Sequence, residues 1–445
     1  MIEDAVSKLA RFIVEDPFEI DSNTLSTIRL GIIDTLGCIY AGAQADVSEK
    51  SRAAVAAMGV KGSSEALGAD LRTTRPHAAF LNAVAAHALD FDDWEIPGNT
   101  HPTAVLFPSL LAVAENPISG HQFAQAYLAG FEVIARLGEG LNFEHYDAGW
   151  HSTATLGAPA AAAACARLLD LTVEETANAI SIAVSAASGY TCQFGSEAKP
   201  IQAGFAARTG VEAVYLARAG ISGKSSVIDH SRGMAALMGG LNRERLTSAL
   251  HKLGNGYALS EHGLVLKPWP SCGYTHRIMT CAIRLKEKIS PEEIKSIDLH
   301  LPDFHAAVVP FTHPRNRSEA LFSLPFVAAM GLLKGQLTLS DIQACAWEQG
   351  TISKLIGKTS VHPFEPLRPD MNYSDKDPDR MVVKLLDGQV LEEKCTYPLG
   401  APQEPMSDAQ IWAKFETNIG PFTEAHASKH LWSARLREWP SESCI

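Results

Sequence analysis

Apolar positions recur at helical spacing over most of the first 260 or so residues. Leu25 to Tyr40 follows that spacing, with Gly42 just beyond it as a stop. Pro76 precedes an alanine-rich run from His77 to Leu89, and the pattern continues through Phe107 to Ala114 and His121 to Leu137. Ala158 to Leu169 is again very rich in alanine. Thr172, followed by Glu174 and Glu175, opens a further helix that continues over Asn178 to Ala187. Alanine costs no side-chain entropy and lets helix axes approach closely, so these stretches read as the core of a helical bundle.

The character changes near Lys267. Short β-like segments follow at Ile297-Asp298-Leu299 and at Ala307 to Val309, then a helix over Ser323 to Leu333. Val382 to Leu386 and Val390 to Cys395 bracket Asp387-Gly388, which predicts a hairpin. Ser407 is placed to cap a helix starting at Asp408 and running through Ile411 to Phe415, and Phe422 to Trp439 predicts one more helical piece. The expected fold is mainly α: a large helical domain over 1–264, a smaller α+β domain over 265–397, and a return to the helical domain over 398–445. No internal repeat or low-complexity tract interrupts it.

Composition narrows the function. The chain has 445 residues, 46% of them hydrophobic and 20% charged, which is globular and large enough to bury a core without staples. Thirty-eight basic against 50 acidic residues leave a formal charge of -12, which disfavours non-specific binding to nucleic acid or an anionic membrane. A small anionic substrate remains open, because it needs only a local positive cluster. The eight cysteines form no CxxC pair and are expected as buried thiols in a reducing compartment, with Cys272 set apart by its polar neighbours. The amino terminus has acidic residues before any apolar stretch, unlike a secretory signal, and no segment of about 20 apolar residues runs uninterrupted by charge. The cytoplasm is the expected location. Phosphate-loop, zinc-protease, nucleophile-elbow and dinucleotide fingerprints are all missing, so phosphoryl and hydride transfer have no motif support.

Four polar clusters interrupt the apolar text. In HALDFDDWEIPGNTHPTAVLFPSLLA (87–112), Asp90, Asp92 and Asp93 follow a helix, and His101-Pro102 opens the next one, where free amides and the dipole suit an anion. This cluster reads as a catalytic loop, as a metal site, or as plain capping. In EHYDAGWHSTATLGAPAAA (144–162), His151 sits just before an alanine-rich helix, with Tyr146, Ser152, Thr153 and Thr155 as donors; general acid–base and structural roles both fit. In CQFGSEAKPIQAGFAARTG (192–210), Lys199 starts a helix against the dipole, either exposed or facing a carboxylate ligand. In LVLKPWPSCGYTHRIMTCAIRL (264–285), Lys267, Cys272, Tyr274 and His276 crowd a proline-broken loop, which reads as a structural loop or as chemistry. There Lys267 would stabilise developing enediolate charge and His276 or Tyr274 would transfer a proton. Removing a proton α to a carboxylate needs a base and cationic partners, and His101, His151, Lys199 and Lys267 supply such a set.

HALDFDD (87–93), THPTAVLFP (100–108), GWHSTATLGA (149–158), KPIQAG (199–204), LKPWPSCGYTH (266–276) and FSLPFVAAMGLLKG (322–335) together resemble the MmgE/PrpD family, over most of the chain. The resemblance implies a large all-helical domain, a smaller α+β lid domain, an active site in the cleft between them, and a homodimer. It implies no metal or organic cofactor. It maps the family's active-site aspartate to Asp90, its histidines to His101 and His151, and its lysines to Lys199 and Lys267. Tyr146 and His276 complete the candidate catalytic set; Asp93, Cys272 and Tyr274 join Lys199 as candidate binding residues. Two positions depart from the pattern: Trp94 stands where many relatives have threonine, and Phe326 where they have tyrosine. The loop from Asp93 to His101 is also slightly longer than in the decarboxylase. These departures argue against cis-aconitate decarboxylation and leave dehydration and epimerisation open; the compact chain and the two missing hydroxyls favour epimerisation of iminodisuccinate stereoisomers, with dehydration of 2-methylcitrate next, and a non-catalytic carboxylate binder as a further reading. The expected partner is a small di- or tricarboxylate.

Overall fold

The computed structural model describes residues 3–114, 118–141, 143–240 and 242–420. The predicted piece from Phe422 to Trp439 lies outside them.

The bundle is built from long helices that include Ser22–Gly42, Arg75–His87, Pro102–Val113, Gly120–Leu141, Gly157–Leu168, Val173–Ala186 and Ala198–Arg218. Their ends follow local chemistry. Asp21 caps the first, Pro76 and Pro102 sit in first turns that need no amide donor, and Thr172 with Glu175 forms a reciprocal capping box. Small residues set the helix spacing. A Cβ on Gly210 would stand 2.3 Å from the Ala161 Cβ, and one on Gly42 would stand 1.9 Å from the Ala85 carbonyl oxygen. The alanine-rich helix Gly157–Leu168 is consequently buried on all sides over its first ten residues.

A second apolar core lies around a four-stranded sheet, ordered Thr359–Phe364, Ile294–Pro302, Asp379–Leu385, Val390–Cys395. The first pair is parallel and the others antiparallel. Ile297, Leu299 and Leu301 alternate with more exposed neighbours, and Ile297 and Leu299 pair with Val383 and Met381. Helices His276–Lys286 and Leu324–Lys334 pack against this sheet and each other. The hairpin turns at Gly388, where φ is +94°. The parallel edge strand escaped the sequence pattern, because its residues are mostly half-exposed. Ala307 to Val309 is not a strand: Asp303–Val308 is a single helical turn that buries His305 and exposes Ala307. A short apolar run cannot be assigned by periodicity alone.

Helix Asp408–Ile419, capped by Ser407 and Gln410, returns to the bundle, where Ile411, Phe415 and Ile419 join its core. The mainly α architecture with a smaller β-containing region is thus observed. Among the described residues, no helix is long and apolar enough to cross a membrane. Six of the seven described cysteines are buried or half-buried; Cys192 departs from expectation and is exposed.

Candidate functional site

Asp90 is the centre of the site. It ends the turn after Arg75–His87 with φ at +47°, a left-handed conformation that aspartate tolerates better than most residues. This turn points its carboxylate inward, where it is 3% exposed. Lys199 Nζ donates to Oδ2 at 2.8 Å. Lys267 Nζ donates to Oδ1 and, at 3.0 Å, to the Asp90 carbonyl oxygen. Burial pushes the Asp90 carboxyl up, but the two ammonium groups outweigh it and hold it well below the usual range. Burial likewise works against the Lys267 charge, and Asp90 and Asp92 reverse the balance and raise its pKa. Lys199 is placed by the first turn of Ala198–Arg218, and its ammonium also faces the Phe194 and Phe322 rings, each centroid 5.2 Å away.

His101 and His151 are both helix N-caps, so their backbones leave the preceding loops at fixed angles. The His101 amide donates to Thr153 Oγ1 at 3.0 Å, which ties the two junctions together. His101 Nδ1 lies 3.1 Å from Asp92 Oδ2, and its Nε2 lies 4.0 Å from Asp90 Oδ1. His87 Nδ1 meets the same Asp92 oxygen at 2.9 Å. Burial first, opposed by Asp92, leaves the His101 pKa pushed down to about 3.

His151 has a defined tautomer. The Tyr190 amide donates to Gln202 Oε1 at 3.1 Å, and Gln202 Nε2 donates to the Tyr190 carbonyl at 3.2 Å, which fixes the orientation of that side-chain amide. His151 Nδ1, 2.7 Å from Gln202 Oε1, must therefore carry the hydrogen. Its Nε2 keeps a lone pair, is buried and has no partner among the described residues. Burial, then the Lys199 charge, lowers this imidazole well below its ordinary pKa, so it is neutral at pH 7.

One cavity joins these groups. The bundle side contributes Asp90, Trp94, Asn99, His101, Tyr146, His151 and Lys199; the α+β side contributes Cys272, Gly273, Tyr274 and Phe322. Burial pushes the Cys272 thiol up to about 12, so it is not a thiolate. Tyr274 OH lies 3.2 Å from Asn99 Oδ1 and 3.0 Å from Asn372 Oδ1, its single hydrogen shared between the two acceptors, and so joins the two cores at the cavity edge.

Three candidates sit elsewhere. Asp93 turns into the bundle core, where Thr103 donates to it from both Oγ1 and N, and burial raises its carboxyl well above normal. His276 does not reach the cavity: its Nε2 donates to the Ser271 carbonyl at 3.2 Å and its ring lies against Trp269. Lys267 does not line the cavity wall and acts on it only through Asp90. Phe326 is fully buried against Trp347, so the missing tyrosine hydroxyl bears on the second core and not on the cavity. Gln202 and Asn99 were missed. Gln202 was detectable, since it follows Lys199 by three residues on one helix face.

Among the described residues, His87, Asp92 and His101 have ligand atoms within 4.8 Å of one another, as do Glu139, Glu261 and His262. In the first group both imidazoles approach one Asp92 oxygen, His87 Nδ1 at 2.9 Å and His101 Nδ1 at 3.1 Å, so Asp92 is their shared partner. In the second, Arg136 and Lys252 already pair with both carboxylates.

Fold and site define a helical protein whose second, β-containing core closes a buried acid–base cavity. The chain belongs to the MmgE/PrpD family: residues 7–246 match the MmgE/PrpD N-terminal domain and residues 269–437 the MmgE/PrpD C-terminal domain. It is similar to the cis-aconitate decarboxylase of Mus musculus, 28% identical over 407 residues that cover 87% of this chain and 80% of that one. The cis-aconitate decarboxylase of Homo sapiens is 28% identical, with 87% and 82% covered. That of Aspergillus terreus is 26% identical, with 93% and 88% covered.

Proposed function

We propose that this chain is a lyase that uses general acid–base catalysis on a small di- or tricarboxylate. The observation that carries the reading is His151 Nε2: a buried lone pair on a cavity wall, in a fixed tautomer, on an imidazole whose neighbour across the wall is Lys199. Lys199 would receive one substrate carboxylate. Lys267, through Asp90, would set the local potential in which enolate charge develops. In dehydration, His151 Nε2 takes the α-proton, the electron pair enters the carboxylate, and the resulting enolate expels a β-hydroxide that takes a proton from Tyr146. In decarboxylation, the C–C bond to the departing carboxylate breaks, carbon dioxide leaves its electron pair on the carbon framework, and the Tyr146 hydroxyl on the cavity wall gives a proton there and is reprotonated from water. The decarboxylase relatives support the lyase class, and the burial of Phe326 away from the cavity withdraws one argument against decarboxylation. Epimerisation of iminodisuccinate stereoisomers is the second reading, favoured by Trp94, which does line the cavity. The same proposal takes the working form as a cytoplasmic homodimer sedimenting at twice the chain mass.

The test is proton NMR in deuterium oxide with cis-aconitate, 2-methylcitrate and iminodisuccinate supplied separately. The lyase reading expects new alkene signals from one of the first two, slowed about 10²–10⁴-fold in His151→Gln with the melting temperature kept. Deuterium entering iminodisuccinate as its stereoisomers interconvert, with the other acids untouched, would replace it by the epimerase. No turnover or binding of any of the three would overturn the polycarboxylate reading.

A further inference from the structure

We infer that Trp94 is a specificity-determining residue whose indole N–H donates to an oxygen of a bound carboxylate. This rests on the carboxylate reading above and deepens it. Trp94 is 5% exposed, its Nε1 is buried, and among the described residues no group accepts from that nitrogen. Buried donors without an acceptor are rare, and one on the wall of a ligand cavity is explained by an acceptor that arrives with the ligand.

The surroundings hold the ring ready for that task. Trp94 N donates to the Val265 carbonyl at 3.0 Å and Val265 N donates back at 2.8 Å, so the backbone is pinned on both sides. Tyr274 and Tyr373 meet the indole edge-to-face, with centroids 6.0 and 5.6 Å away. These contacts limit the ring's rotation and set the direction of its N–H. Gly273, which also lines the cavity, keeps the space beside that N–H clear: a Cβ there would stand 3.0 Å from Nε1. Trp94 and Lys199 thus offer one neutral and one charged donor to the same cavity, from two different segments of the chain. Two carboxylates on one small molecule match that pair. Threonine, the residue the family resemblance places here, has a shorter side chain and would leave a larger space with a differently placed donor.

The experiment titrates the ¹⁵N-labelled protein with tricarballylate, an unreactive tricarboxylate, following the indole N–H resonances and the binding heat. The Trp94 resonance is assigned by its loss in Trp94→Phe, or in Trp94→Tyr should the first variant not fold. The expected result is a downfield shift of that resonance on binding, with affinity about tenfold to a hundredfold weaker in Trp94→Phe. Lys199→Met serves as the control for the cavity and should abolish binding. Binding that is lost in Lys199→Met yet unchanged in Trp94→Phe, with the indole resonance unmoved, overturns the role of Trp94 and leaves the carboxylate reading intact. Failure of the unsubstituted protein to bind tricarballylate, succinate or citrate overturns the carboxylate reading, and this inference with it.

Discussion

Asp90→Asn removes one charge from a buried cluster and leaves two ammonium groups facing a neutral amide. Asp90, Lys199 and Lys267 are 3%, 5% and 1% exposed in their side chains, so water cannot take over the lost partner. Breaking a buried ion pair from one side costs about 3–5 kcal/mol. Unfolding entropy is about 2.1 cal/mol/K per residue. For 445 residues melting in one transition, that loss lowers the melting temperature by about 3–5 °C. The pH dependence should also change sign. In the unsubstituted protein the depressed Asp90 pKa contributes stability above its unfolded value of about 3.9, lost as pH falls through the folded value. The raised Lys267 pKa contributes stability below about 10.4, lost as pH rises through its folded value. With Asp90 neutralised, burial is left to lower the Lys267 pKa instead, the unfolded chain binds more protons, and stability rises between pH 7 and 10. Scanning calorimetry across that range measures both effects. An unchanged melting temperature, or parallel pH profiles for the two proteins, would refute the claim that Asp90 compensates the buried lysines. An added polycarboxylate at about 100 times its Kd should return about 2.7 kcal/mol to the variant, by taking the place of the missing charge.

Gln202→Leu removes the acceptor that fixes the His151 tautomer and should lower kcat about tenfold or more with KM little changed, while the ¹⁵N imidazole shifts report mixed tautomers. Because the His151 pKa is lowered well below 6.5, the acid limb of kcat/KM should fall below pH 6.5, with activity lost as pH drops through that lowered value; a limb at or above 6.5 would assign the base elsewhere. Gly210→Ala places a methyl 2.3 Å from the Ala161 Cβ and should cost about 1–3 kcal/mol by urea titration, with the sheet core unaffected.

Local chemistry was readable wherever one residue decides it. Helix starts at Thr172 and Ser407, the turn at Gly388 and the bundle's close packing all follow from side-chain size, capping oxygens or backbone freedom, none of which needs a distant partner. Asp90, His101, His151 and Lys199 were also legible, because each polar side chain interrupts an apolar helix boundary and together they match a family pattern. The limits of that legibility were directional. Asp93 differs from Asp90 by three residues and by a backbone turn at φ +47°, and that turn sends one carboxylate to the lysines and the other to Thr103 in the bundle core. His276 shares a loop with Cys272 and Tyr274, yet the first turn of its helix rotates it onto Ser271 and away from the cavity.

Spacing along the chain establishes which groups are available; it cannot say which way they point. Asp90 meets Lys267 across 177 positions and Tyr274 meets Asn99 across 175, and such encounters depend on how two separately packed cores dock. The tertiary structure alone decided that His151 leaves Nε2 free and that Gln202 holds its other nitrogen. It also placed Trp94, and not Phe326, against the cavity. Those choices arise from burial, since a polar atom excluded from water must find a partner in the fold or wait for one in a ligand.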